Sequence, residues 1–261
     1  MTTNEPPGAS ARWWTPFYDD LLATMLLERA DPDEVAHAIR FLVARLALAR
    51  GDRVLDQCCG IGSLALPLAA EGMVVVGVDQ SAAYVARAQR DAAALGLDAT
   101  FHAADAFGFV ASPRVRAVFN WWTSFGYAPT DDENREMLAR AFDSLEPGGC
   151  FALDTLNVPG ILRDFQRDVV TRRSTPAGEI VLVRESRVDL ARGVLHKCWT
   201  YFLPDGRRVE HPSAVRLTMP HTLVDLLASV GFVEIELSGG VSGEPLGLDA
   251  LRCIALARRP P

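Results

Sequence analysis

The sequence has few cysteines, no long apolar run and no excess of basic residues, and each shortage excludes a class of protein. Its five cysteines form no Cys-x-x-Cys pair, which argues against a disulfide framework and against a structural zinc site. No apolar run approaches the ~18 residues needed to cross a bilayer, and no signal-peptide pattern is present. With 33 acidic and 26 basic residues the net charge is −7, which disfavours sequence-independent binding to nucleic acid. We therefore expect a reduced, cytoplasmic protein that binds neither nucleic acid nor membrane.

The sequence also lacks the motifs of several reaction classes. No Gly-x-Ser-x-Gly elbow and no phosphate-binding P-loop occur, so acyl hydrolysis and ATP use are disfavoured. The five histidines are scattered without the spacing of metal ligands, which predicts that no metal is bound.

Short apolar runs alternate with helical patterns from residue 51 onward. Strands are predicted at 53–56, 74–78, 99–103, 115–121, 150–156, 233–237 and 252–257, with helices between them and at 221–230. This pattern predicts an α/β fold with a doubly wound, mostly parallel, seven-stranded Rossmann-like sheet. Alternating runs joined by tight turns predict an antiparallel insertion at about 179–218. We divide the chain into a disordered tail (1–12), a helical segment (13–50) and one α/β domain (51–261).

A glycine loop follows the first predicted strand. Gly60-x-Gly62-x-x-Ala65 matches the dinucleotide-binding fingerprint, which opens a helix directly after a strand. Asp56 ends that strand, and a carboxylate beside the loop would repel a pyrophosphate. A cationic ligand is therefore favoured over a nicotinamide dinucleotide, which stays the alternative on fold alone.

The stretch around this loop resembles the first motif of the class I S-adenosylmethionine-dependent methyltransferases, hydrophobic-Asp-x-Gly-x-Gly-x-Gly. Cys58 stands where the first glycine is usual and Ser63 where the third is, so we expect the Cys58 backbone to avoid a positive φ. Leu145-Glu-Pro-Gly-Gly149 resembles the Leu-x-Pro-Gly-Gly turn of the same family. The resemblance covers residues 50–157 and the closing elements from 220 onward.

This resemblance implies S-adenosylmethionine as cofactor, with the N-terminal helical segment as a lid over it. It implies that Asp79 holds the ribose hydroxyls and that Asp105 holds the adenine amino group. The cofactor contacts that it implies are Asp56, Cys58, Gly60, Gly62, Asp79, Gln80, Asp105, Ala106, Asn120 and Trp121.

Aromatic residues are concentrated where an acceptor would bind. Four of the five tryptophans lie in two segments, 13–14 and 121–122, that lead to the carboxyl ends of the strands. Aromatic faces bind cations such as a sulfonium or an amine, although each ring alone could equally fill a core. We predict substrate contacts at Trp14, Trp122 and Tyr127, and catalytic roles for Tyr18, Asn157 and Tyr201.

The leading functional prediction is methylation of a nitrogen or oxygen of a small molecule, as in enzymes that tailor natural products. The partner is then a small-molecule substrate, and homo-oligomerisation is left open. One alternative keeps the cofactor but directs attack to its aminocarboxypropyl carbon, including cyclisation to azetidine-2-carboxylate with release of methylthioadenosine. A non-catalytic cofactor-binding module is the further alternative.

Overall fold

A seven-stranded sheet forms the centre of the molecule in the computed structural model, which describes residues 12–28 and 31–261. The strands of the described chain, which belong to this sheet and to a second, four-stranded one, are β1 (Arg53–Gln57), β2 (Val74–Asp79), β3 (Ala99–Ala103), β4 (Val115–Asn120), β5 (Leu145–Leu156), β6 (Asp168–Thr175), β7 (Gly178–Asp189), β8 (Val194–Phe202), β9 (Arg208–Arg216), β10 (Val233–Ser238) and β11 (Arg252–Arg258). The central order is β10-β11-β5-β4-β1-β2-β3. β11 pairs antiparallel with both β10 and β5, and the other described pairs of this sheet are parallel. The predicted sheet is confirmed.

Helices cover both faces of this sheet. They are α1 (Trp14–Phe17), α2 (Asp20–Leu22), a π-helix (Ala23–Leu27), α3 (Pro32–Arg45), α4 (Ala65–Ala70), α5 (Ala82–Leu95), α6 (Asp131–Ser144), α7 (Val158–Arg163) and α8 (Pro220–Val230). The Ser81 hydroxyl caps α5, and Thr130 and Glu133 form a reciprocal capping box on α6. No helix in the described ranges is long and apolar enough to cross a membrane.

Two apolar clusters fill the space between the sheet and its helices. Because successive strand residues point to opposite faces, Val54 and Val75 pack in the cluster under α3, α4 and α5. Their neighbours Leu55 and Val76 pack in the cluster under α6 and α8. Both faces of the sheet are therefore buried, as the continuous apolar strands predicted.

A second sheet of four antiparallel strands, β6 to β9, forms the flap of the molecule. It begins earlier than the predicted insertion, because β6 (168–175) pairs along its whole length with β7. Strand β6 is an edge strand with alternating exposure, so its sequence has no apolar run to mark it.

The first part of the predicted helical segment (13–50) is not one continuous helix. Asp19 interrupts it, adopts an extended backbone and caps α2 by accepting a hydrogen bond from Leu22 N at 3.0 Å. Two short helices and a π-helical turn result. Of the predicted tail, residues 1–11 lie outside the described ranges, and Arg12 forms an exposed ion pair with Asp105.

Candidate active site

The glycine loop turns sharply at the carboxyl end of β1. Cys58 N and Cys59 N both donate to the carbonyl of Val78, at 2.8 and 3.0 Å. To reach that one carbonyl with two successive amides, the chain takes a left-handed turn with φ of +69° at Cys58. The expectation that Cys58 avoids a positive φ is therefore wrong. A non-glycine residue in this conformation costs about 1–3 kcal/mol, and such strain is concentrated at functional sites.

Gly62 is required by space as well as by conformation. Its φ is +84°, and a Cβ there would lie 3.1 Å from Leu66 Cγ and 3.3 Å from Ala88 Cβ. Any side chain would push the loop away from α4 and α5, so the glycine keeps the loop backbone close to the sheet.

Asp79 ends β2 with its carboxylate facing the glycine loop. One oxygen accepts a hydrogen bond from Gly60 N at 2.9 Å and the other from Ser81 N at 2.8 Å. Burial raises the pKa of Asp79, and the two backbone hydrogen bonds oppose that rise. Each oxygen accepts only one of these bonds and has lone-pair capacity left. The carboxylate can therefore accept two further hydroxyl hydrogens, as a ribose diol would offer.

The other two acids of the predicted set lie in different environments. Asp56 is 3% exposed and does not line the cavity described below. Burial and the nearby Asp79 charge raise its pKa well above the ordinary value, while the backbone amide of Ala65 lowers it. Asp56 therefore supports the start of α4 from beneath. Asp105 does line the cavity, and one of its oxygens accepts from Phe107 N at 3.0 Å.

A cavity of about 310 Å³ opens above the loop, between the sheet, the N-terminal segment and the flap. The predicted residues in its wall are Trp14, Tyr18, Cys58, Gly60, Asp79, Gln80, Asp105, Ala106, Trp121, Trp122 and Tyr127. The structure therefore brings most of the predicted site together. It does not bring Asp56, Gly62, Asn120, Asn157 and Tyr201 to this wall.

The three uncharged polar residues outside the wall have structural surroundings. Asn157 Nδ2 donates to the carbonyls of Gly247 and Ala250, both at 2.7 Å, and so tethers the loop that precedes β11. Tyr201 is fully buried in the apolar contact between the flap and the N-terminal segment. Asn120 is also fully buried and donates to Gln57 Oε1 at 3.2 Å. None of these three side chains lines the cavity.

Two tyrosine hydroxyls meet at the cavity wall. Tyr18 from the N-terminal segment and Tyr127 from the loop after β4 stack their rings and share a hydrogen bond between their hydroxyls. Burial raises the pKa of both phenols well above the ordinary value, so both remain protonated at neutral pH. One hydroxyl hydrogen is used within the pair. The Tyr127 hydroxyl also has the Ser124 side chain as a hydrogen-bond partner.

The loop after β4 holds two further residues in the left-handed region. Trp122 has φ of +57° and Thr123 of +65°. Asp154 fixes this conformation, because its carboxylate accepts from Trp122 N and its backbone carbonyl accepts from Thr123 N, both at 3.1 Å. Arg252 donates to the same carboxylate at 2.7 Å. The loop is thereby held rigidly against the cavity.

The flap contributes polar wall residues that the sequence prediction missed: Arg184, Lys197 and Ser213. Trp199 lies beside them and donates from Nε1 to Ser213 Oγ at 2.8 Å. One signal in the sequence could have identified this group, because Lys197 is the only lysine among 26 basic residues. In the described residues no group of three His, Cys, Asp or Glu is placed to hold a metal ion.

The glycine loop and the first strands of the sheet lie in a segment that matches a known protein family. Residues 54–149 match the model of a methyltransferase domain family, a segment that contains the glycine loop, Asp79 and Asp105. Residues 54–149 therefore form a methyltransferase domain, and the chain has the fold of S-adenosylmethionine-dependent methyltransferases. The family recognised from the glycine loop is confirmed, and with it S-adenosylmethionine as the cofactor of the family.

Individual relatives of this methyltransferase domain are similar over different lengths. A 23S rRNA (uracil(1939)-C(5))-methyltransferase, RlmD of Xanthomonas euvesicatoria, is 50% identical over 72 residues, which is 27% of this chain and 15% of that protein. The chain thus spans a small part of the length of that relative.

Two solved structures share the fold over most of their length. The CcbJ methyltransferase of Streptomyces caelestis has a TM-score of 0.76 at 22% identity, covering 94% of this chain and 98% of its own. CalS10 of Micromonospora echinaspora, an amino pentose methyltransferase with S-adenosylmethionine bound, has a TM-score of 0.69 at 20% identity, covering 89% and 93%.

The residues of the methyltransferase domain fit the cofactor of its family. Asp79 offers both oxygens to a diol, and the left-handed loop at Cys58 and Gly60 presents backbone without bulky side chains to the cavity. Asp105 lies further along the same wall, after β3. The individual contacts of these residues with the cofactor stay predictions.

Proposed function

We propose that the protein transfers the methyl group of S-adenosylmethionine to a nitrogen or oxygen atom of a small molecule, as a tailoring step in the synthesis of a natural product. The observation that carries this proposal is the cavity itself. The Asp79 side chain and the glycine loop line this cavity, and so does the Tyr18–Tyr127 pair. We take the first group as the cofactor cradle and the second as part of the acceptor pocket, and their common cavity supports a transfer between the two.

The roof of the cavity supports a small acceptor. The N-terminal segment and the flap pack on each other through Phe17 and Trp199, whose ring centres are 5.2 Å apart. Together they cover the carboxyl ends of the strands, where a folded RNA would have to approach. The similarity to the rRNA enzyme is confined to 72 residues, so its substrate does not carry over. CalS10, an amino pentose methyltransferase of similar fold, favours an acceptor that carries an amine.

S-adenosylmethionine, when bound, supplies a methyl group already activated by a sulfonium. The protein therefore has to orient the acceptor and exclude water rather than create a strong nucleophile. The rings of Trp13, Trp14 and Tyr127, with centres 4.8 to 6.2 Å apart, form an apolar and π-rich wall suited to cationic groups. The Tyr18–Tyr127 pair lines the cavity, so its hydroxyl groups can hydrogen-bond a polar atom of the acceptor.

The direct test is to incubate the purified protein with S-adenosylmethionine, alone and with a panel of small amines and alcohols, and to identify the adenosine-containing product. S-adenosylhomocysteine that appears only with an acceptor supports methyl transfer. Methylthioadenosine, above all with the cofactor alone, would favour the aminocarboxypropyl reaction instead. Tight binding without either product would make the protein a cofactor-binding module.

A further inference from the structure

The inner face of the flap is apolar at one end and basic at the other. Strand pairing places Leu182 opposite Tyr201 at the apolar end, where both are fully buried against the N-terminal segment. Two positions along β7, Arg184 pairs with Trp199, and Lys197 on β8 pairs with Ser213 on β9. Because alternate residues share a face, all of these side chains lie on the inner face of the flap. Only those at the basic end, Arg184, Lys197, Trp199 and Ser213, line the cavity.

The two cations at the basic end lack a carboxylate partner. No acid of the described residues lies within 4.0 Å of Arg184 or Lys197, whereas Arg252 in the same wall is paired with Asp154 at 2.6 Å. The Nε atom of Arg184 is buried and has no hydrogen-bond partner, and its Nη2 makes only a long contact of 3.4 Å to Thr171. Arg184 therefore has an unpaired donor at its buried Nε, and the side chains of Arg184 and Lys197 both line the cavity.

This arrangement is unfavourable without a negative charge nearby. Arg184 and Lys197 lie 5.3 and 5.7 Å from the centre of the Trp199 ring, a contact that compensates only partly for lost hydration. Burial and the Arg184 charge lower the pKa of Lys197 to about 8. Ser213 accepts its hydrogen bond from Trp199, so its own hydroxyl hydrogen is also left to donate. Three donors, two of them charged, thus face one space.

The basic end lies away from the cofactor cradle. Arg184 also lines a neighbouring cavity, together with Trp122 after β4, Asp154 on β5 and Arg252 on β11. These strands form the half of the sheet opposite β2 and β3, whose ends carry Asp79 and Asp105. A ligand group at Arg184 would therefore belong to the acceptor.

We propose that Arg184, Lys197 and Ser213 form a subsite for an anionic oxygen group of the acceptor, either a carboxylate or a phosphate. This inference rests on the proposed function, because it assigns the group to the molecule that is methylated. A carboxylate or phosphate here would satisfy all three donors and neutralise a pair of charges that no described residue neutralises.

Lys197 allows a direct test, since it is the only lysine. In protein labelled selectively with ¹³Cε-lysine, one resonance reports the protonation of Lys197 without assignment. We expect its pKa, measured with S-adenosylhomocysteine bound, to rise on addition of benzoate or inorganic phosphate and to stay unchanged with neutral benzamide. A response to benzoate alone assigns a carboxylate, and a response to phosphate alone assigns a phosphate. A pKa that neither anion moves would overturn the proposal.

Variants separate this subsite from the cofactor. Lys197→Met and Arg184→Met should each weaken binding of the responding anion about tenfold or more, because a charge-assisted contact is lost. Arg187→Met, on the outer face of the same strand, is the matched control and should change nothing. If Lys197→Met fails to fold, the ¹³Cε resonance of Lys197 in the wild-type protein still tests whether an anion binds at the subsite.

The competing assignment is that the pair holds the carboxylate of the cofactor itself. In that case both variants would weaken S-adenosylhomocysteine but not methylthioadenosine, which lacks that carboxylate, and the proposal would be overturned. We expect both nucleosides to bind the variants as they bind the wild type. Failure of the wild type to bind S-adenosylhomocysteine would reject the proposed function, while the response of Lys197 to anions would still report on the subsite.

Discussion

Replacing Lys197 by methionine should stabilise the folded protein at neutral pH. The methionine keeps the length of the side chain and its contact with Trp199 but removes a charge that has no acidic partner in the described residues. In the folded protein the pKa of Lys197 falls from 10.5 to about 8. That difference corresponds to roughly 3 kcal/mol of unfavourable free energy while the charge is present. For a chain of this length the gain amounts to a rise of roughly 6–12 °C in Tm.

The stabilisation should depend on pH in a defined direction. Below the folded pKa of about 8, the folded and unfolded chains both hold the proton on Lys197, so the full penalty acts on the wild type. Between pH about 8 and 10.5 the folded chain has released this proton while the unfolded chain retains it. The wild type then binds fewer protons when folded, and its stability rises relative to the variant. The advantage of methionine should therefore shrink as the pH increases.

Urea unfolding at pH 7 and at about pH 9.5 measures this difference without any ligand. Lys197→Arg, which keeps a charge that cannot be released, is the control and should show no gain at either pH. A methionine variant that is less stable than the wild type at pH 7 would refute the reasoning. An advantage that is the same at both pH values would refute it equally.

Three further changes test the site as the structure presents it. Asp79→Asn should weaken S-adenosylhomocysteine binding at least about tenfold, measured by calorimetry, because the predicted charged acceptor of the two ribose hydroxyls is lost. The control Asp98→Asn, at an exposed position, should leave this binding unchanged. Tyr18→Phe and Tyr127→Phe should each lower kcat about tenfold or more, while the Kd of the cofactor and the Tm change little. Wild-type rates in both variants would show that the hydroxyl pair does not take part in the reaction. Asn157→Ala should lower the free energy of unfolding by about 2 kcal/mol and leave cofactor binding intact, because two hydrogen bonds to loop carbonyls disappear; a cofactor Kd that weakens tenfold would contradict this.

The central sheet could be predicted because each of its strands carries its own signal. The apolar run at 74–78 has to be buried on both faces, and only a covered parallel sheet offers that environment. Strand β6 carries no such signal, since its residues 168–175 alternate between exposed and half-buried positions at an edge. The Leu145–Gly149 stretch, expected as a turn, is drawn into β5 by its pairing with β4 across an irregular register.

The cofactor half of the site could be predicted for a similar reason. The carboxyl ends of parallel strands meet at one edge of the sheet, so acids that follow β2 and β3 must lie near the glycine loop. The acceptor half depends on how the flap docks, which no local pattern encodes. Tyr201 and Lys197 share one face of β8, yet docking buries the first against the N-terminal segment and leaves the second in the cavity wall.

The N-terminal segment (12–28) is fastened to both halves of the molecule at once. Gln80 Nε2 donates to the carbonyl of Trp14 at 2.8 Å on the cofactor side, and His211 of the flap lies 3.0 Å from the Asp19 carboxylate. Such a segment cannot open over one half without loosening its hold on the other. We therefore predict that release of the nucleoside product and release of the acceptor require the same opening of this segment. Such a shared step would give different acceptors the same upper limit on turnover.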